Sequence, residues 1–407
     1  MSNLSGSITS PNGFLASFTA AGIKYKDRSD MAMIMSEAPA TYAATFTKNK
    51  VKAAPVIWDE LLLNQHTKIS AIVINAGVAN AATGMDGLKD AEETASYTAT
   101  KISKEKNNVL VASTGVIGMR LPLDRIKNGI DNLVRYLSKK IEMGHLASKA
   151  IMTTDTVEKE AFTSFEIDGK KIVVAGMCKG SGMIHPNMGT MLSFITTDIN
   201  IDQKLLQKAL NEVVDDTYNM ISVDGDTSTN DSCIVLANGM AENEMIIKED
   251  DNYEKLKKAL FEVNETLAKK IAKDGEGATK LMEVKVNGAN SKIDAKKIAK
   301  SIINSNLTKT AIYGKDPNWG RIICAIGYSE AEFDESKICI SLKSENGNIE
   351  LCHNGMETNF DEELAKKIMD TDHIEIICEL NCGNFSAISY GCDLTHKYVD
   401  INASYRS

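Results

Sequence analysis

The chain has 407 residues, of which 43% are hydrophobic and 25% are charged, and its formal net charge is −9. This length and composition allow a large buried core in one elaborate domain or two, and they exclude a disordered or fibrous protein. The acidic balance, 55 Asp and Glu residues against 46 Lys and Arg residues, argues against a nucleic-acid partner, which would need a basic surface. Because the sequence shows neither a signal peptide nor a long apolar run, we expect a cytoplasmic protein that has no membrane partner.

Short β-branched segments alternate with amphipathic segments along the whole chain. The strand pattern occurs at 70–77, 107–115, 170–177, 191–198 and 231–239. Helical spacing of apolar residues runs from Ile126 to Leu137, from Leu256 to Ile271, and across 294–306. Residues 373–391 have the pattern of a hairpin that turns at 381–384. The mixed order of strands and helices predicts a layered α/β or α+β enzyme.

The Lys- and Glu-rich tract at 248–275 admits two interpretations. It could hold a domain boundary, because charge-rich stretches often separate domains. Its regular apolar spacing favours a packed surface helix instead.

The eight cysteines lie mostly within apolar segments and form no CxxC pair. This pattern predicts buried, reduced thiols. Cys378 and Cys382 are four residues apart, but no histidine cluster accompanies them, so we expect no zinc or other metal.

Polar segments interrupt the predicted strands, and such loops are where binding and catalytic residues concentrate. They lie at 75–84, 112–118, 152–156, 179–190, 224–231, 275–280, 315–321 and 401–407. The glycine-rich stretch at 176–182 lacks the Gly-Lys-Ser or Gly-Lys-Thr order of a phosphate-binding loop. The acidic stretch at 224–232 has Thr229 where a calcium loop needs glycine. Neither ligand is therefore predicted.

The junction of Gly189 and Thr190, in "KGSGMIHPNMGTMLSF", is the place where specific chemistry can be argued. A threonine hydroxyl has no internal base, but an N-terminal threonine carries one in its own α-amine, whose ordinary pKa is about 8. Cleavage before Thr190 would therefore create nucleophile and base together, and Gly189 lets the hydroxyl approach its carbonyl for an N-to-O acyl shift. The alternative is an ordinary turn that leads into a strand.

An acyl-transfer nucleophile also needs donors for the tetrahedral oxyanion. The Thr114 hydroxyl and the Gly115 N–H follow the predicted strand at 107–115 and could form such a pair, although a plain turn at a strand end has the same pattern. Lys179 could lower the pKa of the Thr190 amine or bind a carboxylate, and Glu276 could pair with a substrate ammonium. Either charge could instead be a solvated surface group.

Taken together, these segments resemble the ornithine acetyltransferases, also called glutamate N-acetyltransferases, of arginine biosynthesis. The resemblance rests on "GFLASFTAAGIKYKDRSDMAMI", "ASTGVIG", "MTTDT", "KGSGMIHPNMGTML", "GEGATK", "GKDPNWGRI" and "CDLTHKYVDINASYRS", which are distributed along essentially the whole chain. In that family alanine more often precedes the nucleophile, and "NAGVANAATG" departs from the usual "NSGNANACTG".

The resemblance implies that Thr190 is the nucleophile, freed by cleavage after Gly189. The products would be an α chain, 1–189, and a β chain, 190–407, of 189 and 218 residues (407 minus 189). The two chains would stay together and pair into an α2β2 heterotetramer. The implied fold is an α/β sandwich of the self-processing aminopeptidase type, with a smaller C-terminal α/β part.

The resemblance also implies roles for other residues. Thr114 and Gly115 match the oxyanion-hole pair of the family. The match to a substrate-binding threonine falls on Thr153, and its neighbour Thr154 is one register step away. The positions that match the substrate-binding residues are Thr153, Lys179, Thr190, Glu276, Asn402 and Ser407.

The implied reaction is a ping-pong transfer of acetyl from N2-acetylornithine to glutamate through an acetyl-enzyme. It requires no cofactor and no metal, and bifunctional members of the family also accept acetyl-CoA. Two other interpretations remain open from the sequence: a hydrolase on the same scaffold, in which water is the acceptor, and a non-catalytic member that is never cleaved.

Overall fold

In a computed structural model of the protein, residues 6–185 and 191–403 are described. They divide into two compact units. The first takes the described residues of Met1–Gly180, Pro186–Tyr218 and Thr227–Leu267. The second takes those of Ser181–His185, Asn219–Asp226 and Ala268–Ser407.

The strands, in chain order, are β1 (Phe14–Thr19), β2 (Met31–Phe46), β3 (Ile69–Val78), β4 (Val109–Val116), β5 (Lys159–Ile167), β6 (Lys170–Lys179), β7 (Leu192–Thr197), β8 (Ile221–Ser222), β9 (Ser232–Ala237), β10 (Leu281–Ala289), β11 (Cys339–Ser344), β12 (Gly347–His353), β13 (Met356–Glu357), β14 (His373–Glu379) and β15 (Phe385–Cys392).

The α-helices are α1 (Ala54–Asn64), α2 (Gly84–Lys101), α3 (Leu123–Arg135), α4 (Ile141–Ala150), α5 (Gln203–Asp216), α6 (Asp251–Lys273), α7 (Lys292–Asn304), α8 (Asn306–Gly314), α9 (Trp319–Gly327), α10 (Glu362–Met369) and α11 (His396–Ala403). Among the described residues, no helix is long and apolar enough to cross a membrane.

The first unit is built on a mixed sheet with the strand order β4-β3-β2-β9-β7-β6-β5, and β1 also pairs with β2. The long strand β2 pairs with β3 through its first half and with β9 through its second half. Its register is irregular between Met35 and Ala40, where Pro39 provides no N–H for a regular ladder. This irregularity divides the sheet into two regularly paired parts.

Neighbouring strands of this sheet present alternate residues to two different layers. Met177 and Phe194 are paired across β6 and β7, and both belong to the core cluster that also includes the buried side of α3. The adjacent pair faces the other way, because a Cβ on Gly176 would lie 2.9 Å from a methyl group of Leu267 in α6. The sheet is thus covered on both faces, which is the arrangement of an α/β sandwich.

The second unit has its own mixed sheet, with the order β13-β12-β11-β14-β10-β15-β8. Here the predicted hairpin at 373–391 is wrong, because β14 and β15 do not pair with each other. Strand β10 lies between them, parallel to β14 and antiparallel to β15. The turn closes over the end of β10 instead: the N–H groups of Cys382 and Gly383 both donate to the carbonyl of Gly288 at 2.8 Å. An alternating pattern shows which residues are buried in a strand, but it does not identify the neighbouring strand.

The other element predictions are confirmed. All five strand segments and all three helical segments are present, and the apolar faces of α3, α6 and α7 are buried. The charge-rich tract at 248–275 is the helix α6, and the division between the two units falls within it, after Leu267. The prediction of an α/β sandwich with a smaller C-terminal α/β part is therefore confirmed.

The prediction of buried thiols is confirmed for most of the cysteines but not for all of them. All eight lie in the described part of the chain as free thiols, and five are buried. Cys339 and Cys382 are partly exposed, and Cys324 is exposed on α9 because it occupies the solvent side of an amphipathic helix.

Candidate active site

Two predicted site residues meet in the first unit, at the ends of two strands. Thr114 lies near the end of β4 and Lys179 is the last residue of β6. The Lys179 ammonium donates to the Thr114 hydroxyl oxygen at 3.3 Å. Because an ammonium has only donors, the threonine oxygen must accept here, and its own proton remains available to donate elsewhere. This arrangement suits a hydroxyl that must stabilise a negative oxygen.

Asp155 organises this corner of the first unit, although sequence analysis did not single it out. Its buried carboxylate accepts a hydrogen bond from Lys159 Nζ at 2.8 Å, and Lys179 Nζ lies 3.9 Å away. It also accepts from the N–H groups of Gly180, at 2.7 Å, and Thr153, at 3.0 Å. Burial by itself raises the pKa of Asp155, but the two ammonium groups and these hydrogen bonds outweigh it and hold that pKa well below its usual range.

The three charges give the corner a formal charge of +1, from two lysines and one aspartate. This local excess can attract an anionic group in spite of the net charge of −9. Thr153 is positioned by its backbone: its N–H binds Asp155, and its carbonyl accepts from Arg28 Nη1 at 3.4 Å.

Gly115 follows Thr114 in β4 and lies opposite Gly77 of β3. A Cβ on Gly115 would be 2.2 Å from the carbonyl carbon of Gly77, and the φ angle of Gly115 is +132°. Only glycine fits such a close approach and such a backbone conformation. The end of β4 is fixed further by Asn230, whose amide nitrogen donates to the carbonyls of Ala79, at 2.7 Å, and Ser113, at 2.8 Å.

The predicted nucleophile Thr190 and the predicted cleavage residue Gly189 lie outside the described residues. The strand that follows them is well defined. Leu192, the first residue of β7, pairs with Lys179, and the carbonyl of Met191 accepts from Ser232 N at 2.9 Å. Lys179 is thus paired with a residue only two positions after Thr190 in the chain.

Two further predicted residues meet in the second unit. Asn402 Nδ2 donates to Glu276 Oε2 at 2.8 Å, and Glu276 is 7% exposed. The Glu276 carboxylate lies against Gly182, where a Cβ would come within 2.3 Å of its carboxyl carbon. The Glu276 N–H also donates to the Ser181 carbonyl at 2.9 Å. Ser407, the last predicted residue, lies outside the described residues.

Asp224 holds the chain segment that precedes the predicted cleavage bond. Its carboxylate accepts from the N–H groups of Met183, at 2.6 Å, and Ile184, at 2.8 Å. The hydroxyl of Tyr398 donates to the same carboxylate at 3.3 Å. The first acidic residue of the loop at 224–231 therefore has a structural role, although the loop lacks the sequence pattern of a calcium site. No sequence signal distinguished this aspartate from Asp226.

Comparison with known proteins places the chain in one family. The ArgJ family profile matches residues 15–407. The bifunctional arginine-biosynthesis protein ArgJ 1 of Clostridium acetobutylicum is 54% identical over 400 residues, which cover 98% of this chain and 97% of that relative. The ArgJ protein of Caldanaerobacter subterraneus is 51% identical over 407 residues, which cover 100% of this chain and 100% of that relative. A solved structure of ArgJ from Bacillus halodurans, 48% identical, has a TM-score of 0.50 and covers 52% of this chain and 98% of that chain.

The fold and these matches define the class of protein first: the chain is an acyltransferase of amino-acid biosynthesis that acts on small molecules. More particularly, it belongs to the ArgJ family, whose members act in arginine biosynthesis. The predicted family and the predicted enzyme class are confirmed.

Proposed function

We propose that the enzyme transfers the acetyl group of N2-acetylornithine to glutamate through an acetyl ester on Thr190. The observation that best supports this proposal is the contact between Lys179 Nζ and the Thr114 hydroxyl. This contact brings a cation and a hydroxyl donor together at the strand ends of the first unit. Strand β7, which begins two positions after Thr190, belongs to the same unit. The family relatives named as arginine-biosynthesis proteins support the same reaction.

The reaction follows from general acyl-transfer chemistry. The free α-amine of Thr190 removes the proton of its own hydroxyl, and the oxygen attacks the acetyl carbonyl carbon. The oxyanion that forms is stabilised by the Thr114 hydroxyl and the Gly115 N–H. When the intermediate collapses, the amine returns the proton to the leaving nitrogen of ornithine. Glutamate then attacks the ester through its α-amine and leaves as N-acetylglutamate.

The remaining predicted residues have substrate-binding roles in this proposal. Lys179 suits a substrate carboxylate, and Thr153 adds a hydroxyl at the same corner of the first unit. Glu276, with Asn402 as its hydrogen-bond partner, suits a substrate ammonium, and Ser407 completes the set. No bound cofactor or metal takes part, and acetyl-CoA is a possible second acetyl donor, as the term bifunctional in the names of the relatives suggests.

The proposal requires self-cleavage between Gly189 and Thr190 into the chains 1–189 and 190–407. The second chain would be 218 of 407 residues, or about 54% of the whole. The solved Bacillus halodurans chain is matched over 98% of its length while covering 52% of this one, which is close to that share. An α2β2 assembly in the cytoplasm completes the proposal.

The decisive experiment incubates purified enzyme with N2-acetylornithine and glutamate and measures both N-acetylglutamate and free acetate. Stoichiometric formation of N-acetylglutamate is the expected result. Acetate without N-acetylglutamate would instead identify the hydrolase of the alternative interpretation. A parallel reaction with acetyl-CoA as donor separates a bifunctional from a monofunctional enzyme.

Intact mass analysis of the same preparation tests the processing step. Two chains, of 189 and 218 residues, are expected. A single full-length mass in a preparation with full activity would contradict the role of Thr190 as an N-terminal nucleophile.

A further inference from the structure

The sheet of the second unit carries a group of three potential metal ligands near its edge. Cys339 begins β11, and Glu350 and His353 lie on the neighbouring strand β12. One ligand atom from each of the three lies within 4.8 Å of the others, and no other such group of three occurs among the described residues. None of these residues belongs to the site described above.

A β-bulge brings these side chains together. After the pair of Ile340 and Cys352 the register of β12 shifts, which leaves Leu351 as an extra residue. Leu351 and Cys352 are consecutive and yet both fully buried, whereas consecutive residues of a regular strand face opposite sides. Glu350 and His353, three positions apart, are therefore both exposed beside Cys339 instead of on opposite faces. Bulges commonly redirect side chains in this way.

Two of the three separations between the ligand atoms are close to those of a tetrahedral zinc site. Zinc bonds of about 2.3 Å to sulfur and about 2.0 Å to nitrogen or oxygen place tetrahedral ligand atoms about 3.3 to 3.6 Å apart. The sulfur of Cys339 lies 3.7 Å from His353 Nδ1, and that nitrogen lies 3.0 Å from Glu350 Oε1. The third separation, from the Cys339 sulfur to the Glu350 carboxylate, is no more than 4.8 Å, so a rotation of the exposed Glu350 side chain would complete the geometry.

We propose that Cys339, Glu350 and His353 bind a Zn²⁺ ion that clamps β11 to β12. Thiolate, imidazole and carboxylate are the ligands that this ion takes in proteins, and a water molecule would occupy the fourth position. The sequence favours no metal, because the chain has neither a CxxC pair nor a histidine cluster. Here the cysteine comes from one strand and the other two ligands from the next, across a bulge that the sequence does not reveal.

Binding has a defined proton balance. The Cys339 thiol must lose its proton to coordinate as thiolate, and that proton goes to solvent. His353 must bind through Nδ1 as a neutral imidazole, so the proton moves to Nε2 and the hydrogen bond to Glu350 is replaced by the two metal bonds. Affinity should therefore rise with pH.

The test uses the purified enzyme with both of its chains, after removal of metals with a chelator. Titration with Co²⁺ should produce thiolate-to-cobalt charge-transfer absorption that saturates at one ion per 190–407 chain. Competition for Zn²⁺ with a chromophoric chelator should then give its affinity. Cys339→Ser and His353→Ala should each weaken Zn²⁺ binding by at least about tenfold, with a smaller loss for Glu350→Gln. Circular dichroism verifies that each variant is folded.

Cys324→Ser is the matched control, because Cys324 is an exposed thiol on α9 that does not belong to the group. It should bind Zn²⁺ as the wild type does. Unchanged affinity in both Cys339→Ser and His353→Ala, or no binding of metal by the wild type at micromolar concentrations, would overturn the proposal. Acetyl transfer should be unaffected in Cys339→Ser, so the outcome does not depend on the proposed reaction.

Discussion

At the scale of single residues, Asp155 illustrates what sequence reasoning missed. It belongs to the segment "MTTDT", where an aspartate beside threonines has the pattern of a solvated turn. Its role depends on its contacts with Lys159, four positions later in the chain, and with Lys179, which lies on a different strand, β6. Thr114 and Lys179 could be recognised as candidate site residues from their own segments, but Asp155 could not. Asp155 is identified only by its contacts with other segments.

Asp155→Asn should destabilise the first unit by about 3 to 5 kcal/mol, because it removes a carboxylate that forms an ion pair with the buried Lys159 ammonium. Chemical denaturation followed by tryptophan fluorescence and circular dichroism measures this loss. Glu158→Gln, at an exposed position of the same loop, is the control and should change stability little.

The stabilities of the wild type and Asp155→Asn should also depend differently on pH. The pKa of Asp155 is lowered in the folded state, so its contribution to stability is complete above the unfolded pKa of about 4 and disappears as the pH falls through the folded value. The difference between wild type and Asp155→Asn should be constant from pH 5 to 8 and narrow in more acidic solution. A difference that grows on acidification would show that the carboxylate is not ion-paired.

Thr190→Ala should abolish both cleavage and acetyl transfer, since it removes the hydroxyl that both reactions need. Thr190→Ser should retain part of each, because serine keeps the hydroxyl and, once freed, the α-amine. Mass analysis and the N-acetylglutamate assay report the two activities separately. Normal turnover in Thr190→Ala would refute the assignment. The effects of Thr190 and Thr114 substitutions should not add, because the two groups act on one intermediate.

At the scale of elements, the strands were predictable and their neighbours were not. The segments that became β3, β4, β6, β7 and β9 are short, β-branched and bounded by turn residues, so local sequence suffices to recognise them. The pairing of β10 between β14 and β15 joins residues about ninety positions apart, such as Met282 and Ile374. Such a register depends on the whole unit, which is why the predicted hairpin failed.

The segment Ser181–His185 provides an element-scale prediction. It precedes the proposed cleavage bond, and Asp224 binds two of its N–H groups. Asp224→Asn keeps the shape but replaces one acceptor oxygen by a donor, so one N–H loses its partner. Self-cleavage should slow by about tenfold or more, measured as the conversion of one band to two on denaturing gels. Asp226→Asn, two residues further on and exposed, should be processed at the wild-type rate.

At the scale of the whole molecule, the two proposed cleavage products do not coincide with the two compact units. Each unit contains residues of both products. In the first unit β6 comes from the chain 1–189 and β7 from the chain 190–407, and the two strands pair along Val174–Lys179. Strand β2 pairs with β9 across the same division. The second unit also takes residues from both chains. The products therefore share the hydrophobic core of the first unit, and the second unit includes Ser181–His185 from the first product.

For this reason the cleaved chains should remain associated in native buffer. Size-exclusion chromatography with light scattering should give one species that contains both chains, at twice the mass of one full-length chain if the α2β2 assembly forms. Separation should require denaturant. Uncleaved Thr190→Ala should elute at the same volume, and release of a free 189-residue chain in native buffer would contradict this expectation.

The position of β15 has a consequence for the order of events during biosynthesis. This strand, Phe385–Cys392, lies far along the chain from the predicted cleavage bond and pairs with both β10 and β8. Directly after β8, Val223 donates to the carbonyl of Ile184, and Asp224 holds the N–H of the same residue. A nascent chain in which β15 has not yet been made lacks the strand that pairs with β8, so we expect this segment to reach its final position only after β15 has folded. Self-cleavage should therefore follow the synthesis of a strand that lies far along the chain from the bond that is cut.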